Sequence, residues 1–89
     1  MSSWYGHIKD SMPVPQEFTV TVRVVVCPDN SFFPSGRREK HFAGCAIPGK
    51  LWIKGYLADG KVLPEDMAVL GHEFWHTIAY ANAGAKDPD

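Results

Sequence analysis

The sequence predicts an α+β domain in which a small mixed or antiparallel sheet packs on one long C-terminal helix. Three observations predict it. A β-branched run, Phe18-Thr19-Val20-Thr21-Val22-Arg23-Val24-Val25-Val26, alternates its side chains with the period of a strand. Two shorter apolar stretches, His41 to Ile47 and Leu51 to Leu57, flank Pro48-Gly49, a turn signal. From Pro64 to Asn82, apolar residues recur at helical spacing, at Met67, Leu70, Phe74, Ile78 and Ala81.

Taken in order, residues 1–15 read as an irregular entry, because Pro13 and Pro15 block both a helix and regular ladder pairing. The strand from Phe18 to Val26 points Val20, Val22, Val24 and Val26 one way and Thr19, Thr21 and Arg23 the other. Cys27-Pro28-Asp29-Asn30 ends it with turn chemistry. Residues 28–40 form a loop with an apolar pair, Phe32-Phe33, and a basic run, Arg37, Arg38 and Lys40. Such a loop is either a flap over a site or a solvated connection anchored by its phenylalanines. The strand from Leu51 to Leu57 puts Leu51, Ile53 and Leu57 on one face, and Asp59-Gly60 marks a tight turn after it.

The helix follows. Pro64 suits its first position, Glu65 and Asp66 favour the positive end of its dipole, and Gly84 is a stop beyond its last turn. Residues 83–89 are a C-terminal tail. The stripe Met67, Leu70, Phe74, Ile78 and Ala81 is expected to pack on the sheet. Val69, Trp75, Ala79 and Tyr80 make the helix apolar off that stripe too, so more than one side should be covered. The N-terminal segment, a protein partner or a second copy of the chain would supply that cover.

The 89 residues suit a single domain, 1–89, with 45% apolar and 21% charged residues, as in globular proteins. A net charge of −1 argues against a nucleic-acid partner. No segment has the length to cross a bilayer. The start, Met1 to His7, lacks the charged residues and apolar run of a secretory signal, so a cytoplasmic location is expected. In that setting Cys27 and Cys45 are expected as free, buried thiols.

The chemistry is concentrated in His72-Glu73-Phe74-Trp75-His76. Residues four apart on a helix stack on one face, so two imidazoles in this spacing reach one tetrahedral metal ion. The glutamate between them stands beside that ion, where it can take a proton from a bound water. Chance supplies this pattern in only about one chain in a few hundred of this length. On the expected helix His72 and His76 project nearly opposite the core stripe, with Glu73 between, so packing and metal binding would not compete.

With Gly44-Cys45-Ala46, Leu51-Trp52-Ile53 and Val69-Leu70-Gly71 before it, the pentapeptide resembles the minimal core of the zincin superfamily of zinc metallopeptidases. The resemblance covers roughly the second half of the chain, and its specific part is the pentapeptide. It implies one zinc ion held by His72 and His76, with Glu73 as the general base that activates water toward a peptide carbonyl and passes the proton to the leaving amine. It further implies a peptide or protein substrate, held in extended form by an edge strand.

The family also requires a third protein ligand. The metzincin continuation of glycine and then His or Asp finds Ala79 and Asn82 here, and no Glu follows Glu73 to serve as in gluzincins. An Asp donor leaves Asp87, just past the helix, as the first candidate and Asp89 as the second. His41 and, more remotely, His7 are alternatives, and Tyr80, one turn beyond His76, is either a packing residue with its hydroxyl in water or a group that stabilises an oxyanion. The runner-up expectation is a zincin-like metal-binding or protein-interaction module without proteolytic power. A third is a metal-free structural protein with both histidines at its surface.

Overall fold

The computed structural model describes residues 11–34 and 42–89. Four strands and one α-helix follow one another as β1 (Arg23–Cys27), β2 (Gly44–Ile47), β3 (Lys50–Ala58), β4 (Lys61–Pro64) and α1 (Met67–Ala81), with a short 3-10 turn at Asn30–Phe32. The architecture is α+β, as the sequence predicts. Its sheet is mixed, ordered β1-β3-β2, with β4 paired to the far half of β3.

β3 organises the sheet. β1 runs parallel to it, with Val24 opposite Leu51 and Val26 opposite Ile53. β2 runs antiparallel on the other side, with Gly44 opposite Ile53 and Ala46 opposite Leu51. Pro48 and Gly49 join β2 to β3. Gly49 holds φ at 79°, the left-handed value a type II turn needs after a proline. The second hairpin turns through Asp59 (φ 54°) and Gly60 (φ 75°), the paired positive φ values of a type I′ turn.

Three boundaries differ from expectation, each for a local reason. The first strand begins at Arg23 rather than Phe18, because β3 offers no partner before Lys50. The Arg23 amide bonds instead to the Gly49 carbonyl at the turn (2.9 Å). The preceding residues lean on the helix: Phe18 packs edge-on against Trp75 at 5.9 Å, and the Thr19 carbonyl accepts from the Asn82 side chain (3.2 Å). Second, Lys61–Pro64 is a strand, so Pro64 closes β4 instead of opening the helix. A proline lacking an amide hydrogen is tolerated at such a strand end. Third, Asp66 caps α1, its carboxylate accepting from the amides of Ala68 (2.9 Å) and Val69 (3.3 Å). At the other end the helix stops at Ala81, where the Asn82 side chain donates to the Ile78 carbonyl (3.0 Å).

Residues opposite one another across a ladder share a face. Leu51 and Ile53, both fully buried, therefore lie on the same side as Gly44 and Ala46, and this side receives α1. The other side carries Cys45, Trp52 and Val25, which cluster with Cys27, Phe33 and Phe42. Of the two loop phenylalanines, Phe33 is buried and Phe32 exposed. The anchoring expectation is thus met by Phe33, while Arg37, Arg38, Lys40 and His41 lie outside the described residues.

Cys27 and Cys45 are both buried, and no disulfide joins them. They sit on β1 and β2 with β3 between and are offset by two residues along the strands, so their backbones are more than two strand spacings, about 9–10 Å, apart. A disulfide tolerates a Cα separation of only about 7 Å. Burial pushes the Cys27 thiol pKa up, and the nearby Asp29 carboxylate adds to the effect. Asp29 itself is held below the usual carboxylate range, chiefly by the Ser31 hydroxyl and then by the Ser31 amide.

Candidate metal centre

Helix α1 delivers the pentapeptide to the seam between itself and β2. His72 and His76, one turn apart, converge edge to face with their Nε2 atoms 3.2 Å apart. Glu73 is buried on the same side, facing Gly44 of β2. A Cβ at position 44 would lie 3.0 Å from the Glu73 Cγ, 3.1 Å from the Val69 Cγ1 and 2.9 Å from the Trp52 carbonyl oxygen. Glycine at 44 therefore lets the helix come this close. A glycine inside a strand pattern is the sequence signal for such an approach.

The helical face in use is not the expected one. Glu73, His76 and Thr77 are buried (9%, 7% and 0% exposed), with Ile78 the one buried residue of the predicted core stripe. Met67 is 64% exposed and Phe74 37%. The packed face is rotated by roughly 90° from the predicted stripe, toward the histidines. Packing and site thus share one face instead of dividing the helix between them. The Thr77 hydroxyl, buried in this seam, donates to the Phe74 carbonyl (2.6 Å).

The tail completes the cluster. It turns back at Asn82, whose carbonyl accepts from the Ala85 amide (3.1 Å). The indole of Trp75 then pins it by donating to the Lys86 carbonyl (2.6 Å). This carries Asp89 across the two imidazoles, with Oδ1 3.0 Å from His72 Nε2 and Oδ2 3.0 Å from His76 Nε2. Asp87, the first candidate from sequence, lies on the other side of the His76 ring, with Oδ1 3.3 Å from Nδ1. Tyr80 stacks on His76 with ring centroids 5.9 Å apart. The alternative ligands His7 and His41 lie outside the described residues.

These groups line a cleft of about 470 Å³ between Phe42–Ala46 on one side and Val69, His72, Glu73, His76, Tyr80 and Asp89 on the other. Among the described residues β2 ends the sheet order, and it forms one wall of the cleft. The donor set could hold a divalent cation. Two nitrogens bound tetrahedrally at ordinary zinc distances stand about 3.3–3.4 Å apart, close to the 3.2 Å between the two Nε2 atoms. The ligand atoms offered by His72, His76 and Asp89 all lie within 4.8 Å of one another. Two imidazoles and one carboxylate are a combination that binds zinc.

No protein-family model, curated protein or solved structure matches this chain. The site must therefore be read from its own geometry. No helix among the described residues is long and apolar enough to cross a membrane.

Proposed function

We propose that this chain is a zinc-dependent peptidase whose site is His72, Glu73, His76 and Asp89. The observation that carries this reading is the convergence of three ligand side chains from the helix and the returning tail, with Glu73 beside them in a cleft. Zinc held by His72, His76 and Asp89 would supply a Lewis acid that brings the pKa of a coordinated water near neutrality. Glu73 acts as general base, taking the proton from the attacking water and returning it to the leaving amine. Its burial against Gly44 keeps the carboxylate in place at the cleft wall. An extended peptide substrate would lie in the cleft beside β2.

The test is elemental analysis of protein purified without added metal, followed by a peptide-library digest. One zinc per chain is expected, absent from the His76→Ala variant, with cleavage lost in Glu73→Gln while the zinc stays. Protein without zinc, or a Glu73→Gln variant cleaving at the wild-type rate, overturns the reading.

One observation favours a second reading, an interaction module on the same metal site. The β3–β4 hairpin exposes Tyr56 and Leu63 on one face and Leu57 and Val62 on the other, apolar side chains of the kind partners cover. Zinc binding with no cleavage of varied peptides, together with a stable complex, is the outcome that reading predicts.

A further inference from the structure

Resting on the proposed zinc site, we infer that Asp87 is a positioning residue, setting the orientation and tautomer of His76 from the side opposite the metal. His76 is the buried member of the histidine pair, its side chain 9% exposed against 43% for His72. Its Nδ1 is fully enclosed and has no well-aligned hydrogen bond among the described residues, and the carboxylate oxygen that faces it, at 3.3 Å, belongs to Asp87. A neutral imidazole carries one proton. With that proton on Nδ1, toward Asp87, Nε2 turns its lone pair toward Asp89 and the cleft. A carboxylate behind a ligand histidine both fixes the ring and makes it a better donor.

Asp87 is built for this by the tail. Its Oδ1 also accepts from the Asp89 amide (2.9 Å), closing the turn that sends Asp89 over both Nε2 atoms. The Trp75–Lys86 hydrogen bond holds the start of that turn against the helix. The two aspartates thus grip one imidazole from its two nitrogens. An oxygen placed off Nδ1 cannot at the same time ligate an ion bound at Nε2, which separates the positioning role from the ligand role expected of Asp87.

The experiment compares wild type, Asp87→Asn, Asp87→Ala and Asp89→Asn in the full chain. Zinc affinity is read by competition with a chromophoric chelator, the His76 tautomer by long-range proton–nitrogen NMR, and ligand geometry by the visible spectrum of the cobalt(II) form. Asparagine keeps an oxygen for the Asp89 amide, so a purely turn-forming role survives in Asp87→Asn. The expected result is an Nδ1-protonated His76 in the zinc form and a loss of about tenfold or more in affinity for Asp87→Asn. The cobalt band keeps its envelope in Asp87→Asn and changes in Asp89→Asn. Wild-type affinity in Asp87→Asn overturns the inference, as does a cobalt band altered alike in both aspartate variants, which would make Asp87 a ligand. Both results leave the zinc-site reading standing. Failure of the wild-type chain to bind zinc overturns that reading and the inference with it.

Discussion

Substituting Gly44 by alanine probes the seam on which the site depends. A methyl group there would stand 2.9 Å from the Trp52 carbonyl oxygen, 3.0 Å from the Glu73 Cγ and 3.1 Å from the Val69 Cγ1. Restoring ordinary contact at about 3.5 Å requires shifts of about 0.6, 0.5 and 0.4 Å. The first contact is backbone of the paired strand, so β2 must shift against β3; the other two are side chains of α1, so the helix must lift. Overpacking of this kind costs about 1–3 kcal/mol, while alanine recovers about 0.4–1 kcal/mol by stiffening the unfolded chain. The net destabilisation is about 1–2 kcal/mol, a fall in Tm of roughly 5–15 °C for a domain this size. Moving Glu73 by about half an ångström should also slow catalysis by about tenfold, because a displacement of about 1 Å costs about a hundredfold. Gly71→Ala is the control: nothing lies within 4 Å of its added methyl, and a helical alanine gains up to about 1 kcal/mol over glycine. Urea denaturation of both variants, with zinc affinity and peptide turnover alongside, is the assay. A Gly44→Ala protein as stable and active as wild type would falsify the close approach of α1 to β2.

Four further outcomes are expected. Glu73→Gln should keep one zinc per chain yet lose about a hundredfold to ten-thousandfold in turnover, the usual worth of a general base, as measured on a cleaved peptide. Asp66→Ala removes the carboxylate that caps two amides of α1 and should cost about 1 kcal/mol in urea denaturation, with zinc affinity little changed. Met67→Gln should change stability by no more than about 0.5 kcal/mol, because Met67 faces water; a loss of 2 kcal/mol or more, the cost of about a core methionine, would restore the predicted stripe. Cys27 is raised by burial, so the unfolded chain ionises this thiol first. The group adds no pH slope well below about pH 8.5, and stability falls as pH rises past that value. Denaturation midpoints from pH 7 to 10 should therefore drop more steeply for wild type than for Cys27→Ala.

The fold class was readable because its signals are local. Pro48-Gly49 and Asp59-Gly60 announce their turns through backbone angles that few other pairs adopt, and both occur as expected. Strand limits were harder, since a strand ends where its partner ends. Nothing within Phe18–Val22 says that β3 begins only at Lys50. Likewise, Lys61–Pro64 is too short to show an alternating pattern, and it is a strand because a type I′ turn folds it back on Gly55–Ala58. Pro64 fits a helix start by local rules, but Asp66 offers the better cap and the helix begins after it.

The site was legible in its donors and not in its placement, and the two facts have one cause. Periodicity finds the buried face of a helix by looking for apolar side chains. On α1 the buried face holds Glu73, His76 and Thr77, so apolar periodicity points instead to the stripe through Met67 and Phe74, both of which are exposed. Polar residues displace apolar ones from a buried seam at a cost in stability, and a small domain has little stability to spare. Three of them on one helical face, opposite a glycine that lets the backbones close, is the pattern in which local rules fail at a working site. The returning tail follows the same logic. Local rules read Asp87 as a frayed tail carboxylate, but Trp75, which its spacing places off the core stripe, holds Lys86 and aims both Asp87 and Asp89 at His76.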